Sequence, residues 1–134
     1  MANFSYHPLQ KAVYEALTDD VTLMGMISGV FDRPPQGQDY PYIALGESSV
    51  SDWSTKTSNG MEHAVQMQIW SREGGRRQCA QIMENVHRIL HDVNLTPDGH
   101  RLISIRFVSS TISIKSDGWT YQGTMRFRAV TETL

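Results

Sequence analysis

The sequence has little that would tie it to covalent or membrane chemistry. Among its 134 residues there is one cysteine, Cys79, so no internal disulfide can form. No stretch approaches the ~18 consecutive apolar residues of a membrane-spanning helix. The opening MANFSYHPLQK lacks the cationic start and apolar run of a secretory signal. A soluble chain made in the cytoplasm is therefore expected, with no membrane partner, and the glycosylation patterns Asn3-Phe4-Ser5 and Asn94-Leu95-Thr96 carry no weight. Charge of one sign is scarce too. Twelve Lys+Arg against 14 Asp+Glu leave a formal net charge of -2, which argues against gripping nucleic acid through bulk positive charge but not through a local basic patch. No G-x-S-x-G elbow, P-loop or dinucleotide fingerprint occurs, so neither nucleophilic nor nucleotide chemistry has a candidate site.

What is present suits one core. A chain of this length with 40% apolar residues is expected to form a single domain over 1–134. Its organising stretch is 75–93, where Cys79, Ile82, Met83, Val86, Ile89, Leu90 and Val93 fall on one face of a 3.6-residue helix. Burying that stripe stabilises by roughly 10 kcal/mol before chain entropy is subtracted, and it needs a partner surface as wide as the helix is long. Cys79 belongs to this stripe and reads as a small core residue.

The remaining chain supplies such a surface. An amphipathic helix is expected over 8–17, then Asp19 or Asp20 caps a short second helix in VTLMGMI. Val30-Phe31 and Tyr42-Ile43-Ala44-Leu45 read as strands flanking a proline-containing loop at 33–37. ESSVSDWSTKTSN, 47–59, reads as a strand leaving the core and becoming a mobile loop. Val65, Met67 and Ile69 alternate with glutamines as in a half-buried strand, and Ser71 to Gly75 is the hinge into the helix. Residues 102–108 with Ile112 and Ile114 form one long strand, or two divided near Ser109-Ser110. Asp117-Gly118 then turns the chain into an antiparallel return strand from Tyr121. The fold class is α+β: an antiparallel or mixed sheet with a long central helix and one or two N-terminal helices packed on it.

Few residues suggest chemistry. Glu84, His87 and His91 lie on one side of the helix, and a His pair at i, i+4 can chelate a divalent metal. No second ligand cluster completes the three or four ligands such a site needs, so no metal or cofactor is expected and no catalytic residue is assigned. Arg76 and Arg77 open the helix after Gly74-Gly75, where the dipole disfavours cations, and they need solvent, an acidic neighbour or another subunit's carboxylate. Arg126 and Arg128 project from one face of the last strand with Arg106 as a neighbour across the hairpin. Trp53 and Lys56 sit in the polar 47–59 loop, and an exposed tryptophan is a candidate interface residue. Trp70 and Trp119 lie at strand ends, where packing at the edge of the core accounts for them.

The order of segments is itself recognisable. LQKAVYEALTDD, GVFDRPPQGQDYPYIALGES, DWSTKTSNGMEHAVQMQIWSREGG, the central helix, HRLISIRF and DGWTYQGTMRFRAV together resemble the tail completion or tail terminator family of long-tailed bacteriophages, prophages and gene transfer agents. The resemblance rests on the PYIALGE strand, the W-S-R-x-G-G link and the terminal G-x-x-R-F-R-A strand. It implies an α+β subunit of a six-membered ring at the head-proximal end of the tail tube. Such a ring stops polymerisation of the tube protein, joins the head connector and lets DNA pass without specific binding. It implies a virion protein with no catalysis. Trp53, Lys56, Arg76, Arg77, Arg126 and Arg128 are then the interface candidates, chosen by side-chain type. Two other classes stay open: a small metal-dependent enzyme using Glu84, His87 and His91, and a nucleic-acid-binding module using Arg106, Arg126 and Arg128.

Overall fold

The apolar stripe that organises the sequence is buried where its spacing requires. In α3, Gly75–Leu90, the side chains of Cys79, Ile82, Met83, Val86, Ile89 and Leu90 all face inward. The structure, a computed structural model, describes residues 5–72 and 75–134, so Glu73 and Gly74 of the expected hinge lie outside the described residues. The helix stops before the expected Val93. Asp92 takes a left-handed φ of 55°, and its N–H donates to the carbonyl of Ile105 at 2.8 Å instead of continuing the helical ladder.

Helix α1, Tyr6–Thr18, buries Leu9, Val13 and Leu17 on one face. Its neighbour α2, Val21–Met24, is a single turn ending at Gly25, shorter than the VTLMGMI pattern suggested. Asp20 caps it as expected, accepting from the N–H of Leu23 at 2.9 Å. The same carboxylate accepts both terminal nitrogens of Arg88, at 2.9 and 3.0 Å, which ties α2 to α3. That fork and the cap hold the carboxyl of Asp20 below its ordinary pKa.

Among the described residues five strands form one mixed sheet in the order β1-β2-β3-β5-β4. They are β1, Val30–Phe31; β2, Tyr42–Asp52; β3, Gly60–Ser71; β4, His100–Ile114; and β5, Tyr121–Thr133. Only β1 and β2 are parallel, and every other neighbouring pair is antiparallel. β2 continues past Leu45 into the strand expected to leave the core. After an irregularity between Leu45 and Ser48 it re-enters the ladder and pairs Ser48 to Asp52 with Val65 to Met61, leaving 53–59 as the loop. That loop is organised by Thr55, whose N–H donates to the Ser58 carbonyl and whose hydroxyl accepts from the N–H groups of Thr57 and Ser58. β4 is one strand, not two, with irregularities at Leu102/Ser104 and Phe107/Ser109 that leave Ile103 and Val108 as extra, exposed residues.

Helices α1 and α3 cover one face of this sheet. The core between them contains Ile43, Met67, Ile69, Ile105, Met125, Phe127 and Ala129. Gly123 of β5 permits the close approach of α3: a Cβ there would lie 2.7 Å from both Cys79 Sγ and Met83 Sδ. Burial drives the Cys79 thiol up to about 11, so it stays protonated and apolar near neutrality. The Asp117-Gly118 turn closes the β4–β5 hairpin. Asp117 accepts from the hydroxyl and N–H of Thr120 and from the N–H of Trp119, which together lower its carboxyl to about 2.

Candidate functional site

Strand alternation gives the uncovered face of the sheet a different chemistry. From β3 it presents Glu62, Ala64, Gln66, Gln68 and Trp70; from β5, Gln122, Thr124, Arg126, Arg128 and Glu132, with the buried Val130 as an apolar exception. Arg106 of β4 lies directly across the ladder from Arg128. Two like charges so placed repel, and each is answered by a carboxylate. Arg128 pairs with Glu62, and Arg106 Nη1 lies 3.3 Å from Asp92 Oδ1. Arg126 stands over a shallow recess of about 190 Å³ shared with Glu47, Ser49 and Gln66. Among the described residues it has no ion-pair partner.

The other predicted interface residues are separated. Trp53 lies close against Gly60: its N–H donates to the Gly60 carbonyl at 2.9 Å, and a Cβ on Gly60 would sit 2.8 Å from the Trp53 carbonyl oxygen. The ring stays 44% exposed at one end of the sheet, with Lys56 beyond it at the loop tip. Arg76 and Arg77 are at the other end. Arg76 is exposed, and its guanidinium lies 5.6 Å from the centre of the Tyr121 ring, an aromatic face in addition to the solvent, acidic neighbour or partner carboxylate that the sequence suggested. Arg77 is exposed.

Sequence reasoning passed over Arg72, which it placed in the hinge. Its guanidinium is clamped between the rings of Tyr40 and Trp119, at 4.2 and 4.4 Å from their centres, while Nε donates to Thr120 Oγ1 at 3.0 Å. The clamp binds the β1–β2 loop, the end of β3 and the β4–β5 turn. Trp119 therefore does not pack at the edge of the core. It is 51% exposed over a cation, and Trp70 stacks on Tyr42 across the uncovered face. The only signal in the sequence was two aromatics next to turns.

Two histidine groups remain. His87 and His91 do meet, with ring centres 4.7 Å apart, but His91 Nδ1 accepts the N–H of Phe107 at 3.0 Å and Nε2 faces Asp92 Oδ2 at 3.3 Å. Both nitrogens of His91 are thus engaged, and Glu84, His87 and His91 do not form a ligand set. Deeper in, Ser5 Oγ, His63 Nε2 and Thr131 Oγ1 close a ring of hydrogen bonds at 2.7 to 3.1 Å. A Ser–His contact is the start of a nucleophilic pair, but all three residues are buried. Burial, with His100 nearby, lowers His63 to about 4, so it is neutral and serves as a structural hydrogen-bonding group.

This fold, with helices on one side of a mixed sheet, superposes on solved structures. A chain in the virion of a native gene transfer agent particle superposes with a TM-score of 0.85, at 27% identity, covering 96% of this chain and 99% of that one. The structure of the bacteriophage SPP1 gp17 protein superposes with a TM-score of 0.65, again at 27% identity, covering 94% and 88%. The tail completion protein gp17 of Bacillus phage SPP1 is 28% identical over 123 residues, 90% of this chain and 89% of that one. Residues 11–132 match the model of the family described as tail completion protein gp17, and the chain belongs to that family of phage tail structural proteins.

Proposed function

We propose that the chain is a tail terminator. Copies form a closed ring, of six by the family resemblance, that caps the tube protein, stops its polymerisation and offers a second surface to the head connector. The observation that carries this reading is the likeness to a chain of a gene transfer agent virion over nearly the full length of both. DNA passes through the ring without specific recognition. The paired state of Arg106 and Arg128 agrees with that, since a phosphate would have to compete with Asp92 and Glu62. In this reading the interface residues are Trp53 and Lys56 at one end, Arg76 and Arg77 at the other, and Arg126 and Arg128 on the uncovered face. Their separation around one unit suits a subunit that meets a neighbour, a tube and a connector on different surfaces.

The test is to add purified protein to polymerising tube protein and measure tube lengths in electron micrographs. Shortened tubes ending in rings of this chain are expected. A length distribution unchanged by the protein overturns the proposal.

A further inference from the structure

The two edges of the sheet are each only half covered. On β4, Asp92 N–H and His91 Nδ1 reach Ile105 and Phe107, and they shield the first half of the edge. Beyond Val108 no described residue bonds to the outer side. The direction of the ladder groups follows from the hairpin: Lys115 N–H donates to the Thr120 carbonyl, so alternation turns the N–H and C=O of Ser110, Ile112 and Ile114 outward. On the opposite edge, β1 covers β2 only at Ile43 and Ala44. Trp53 N–H bonds inward to Gly60, so Ser48, Val50 and Asp52 turn outward, and the Tyr6 hydroxyl donating to the Ser48 carbonyl is consistent with this phase.

These two stretches fit each other. Each neighbouring pair among β2, β3, β5 and β4 is antiparallel, so β2 and β4 run in opposite senses. A second copy moved sideways in the same orientation brings its β2 antiparallel to β4, as a head-to-tail ring contact requires. The outward residues of both strands carry their side chains on the helix side: Val50 opposite His63 and Ser48 opposite Val65, Ile112 opposite Gly123 and Ser110 opposite Met125. Directly paired residues share a face, so nothing apolar is turned to solvent. Below the bare half of β4 lies a recess of about 330 Å³ between the strand and α3, lined by Met83, Glu84, His87, Phe107, Ser110 and Ile112.

We propose that Ser110–Ile114 of one copy adds, antiparallel, to Ser48–Asp52 of the next, with Val50 opposite Ile112 and the Tyr6–Val50 surface seated over the recess. This rests on the ring reading and names the contact within it. Mutual N–H to C=O bonds join Ile112 to Val50 and Ser110 to Asp52. The addition stops where β1 begins. Because the two bare stretches are at different heights on the sheet, successive copies are offset along the strands, which a closed ring absorbs by tilting them.

The experiment uses V50C/I112C in the full chain, oxidised with and without tube protein and separated without reductant. Val50 and Ile112 in register lie within disulfide reach. The expected result is a ladder of covalent multimers from the double variant, with monomer only from V50C or I112C alone. Should a cysteine variant fail to fold, S110P decides: it removes one outward N–H at an exposed edge position, and self-association should weaken at least roughly tenfold while circular dichroism is unchanged. Rings seen in images with neither cross-links nor sensitivity to S110P overturn this contact and leave the ring standing, its edge free for a tube or connector protein. No rings and unaltered tubes overturn both.

Discussion

Phe127 and Arg126 are consecutive residues of one strand, and they live in different solvents. Phe127 is 1% exposed, edge-on to Phe107 with ring centres 5.8 Å apart, under the helix layer. Arg126 looks out over a shallow recess beside Glu47, Ser49 and Gln66. One face of the sheet is thus fixed by close packing and the other by a few exposed charge pairs. The covered face stores the stability of the protomer, and the uncovered face is free to vary its contacts at little cost to the fold.

Substitution at this pair measures the contrast directly. Phe127→Ala should cost about 3 to 5 kcal/mol in denaturant unfolding, through lost burial and the cavity left behind. Arg126→Ala should stay within roughly 0.5 kcal/mol. Equal losses at the two positions would mean that the uncovered face is packed after all.

Acid should attack the covered face through His63. Its folded pKa of about 4 lies below the ordinary value of 6.5, so the unfolded chain binds a proton that the native chain refuses. The stabilisation is complete above 6.5 and is lost as pH falls from there to 4, by roughly 3 kcal/mol in all. Unfolding free energies measured across that window in wild type and His63→Gln should separate. A slope that persists in the variant would assign the titration elsewhere.

A comparably small effect is expected at the ion pair of Arg128 with Glu62. Both side chains are partly exposed, so a double-mutant cycle to alanine should return under about 1 kcal/mol, falling further with salt. A larger coupling would make the uncovered face a second structural layer.

The difference between the faces also marks what could be read in the sequence. The α3 stripe, the alternation of β3 and the Asp117-Gly118 hairpin were legible because each is a local pattern with one physical solution. The last half of β2 was legible only as a strand leaving the core, without its end at Asp52. ESSVSD has no apolar rhythm, and it is a strand only because β3 offers it a ladder, a cause that lies in the partner and not in the residues. Val93 misled for a related reason: it keeps helical spacing, but the contact of Asp92 with β4 had already ended the helix. The six interface candidates came from side-chain type alone. Arg106 and Arg128 were rightly placed on one surface, whereas their neutralising partners Asp92 and Glu62 belong to other segments and leave no periodic trace. The Arg72 clamp joins three distant turns, and the bare strand edges are a property of sheet order, which no local pattern encodes.

The central place of β5 has a consequence for how the protein is made. It is the last strand in chain order, yet it lies between β3 and β4 and supplies the ladder to both. During synthesis β2 and β3 can pair with each other, but β4 has no ladder and α3 no complete platform until β5 emerges. A chain broken off before Tyr121 is left with open, adhesive strands and is a substrate for proteolysis rather than a competitor for assembly. Because β3 and β4 meet only through β5, a copy acquires the shape of a subunit only when translated through it.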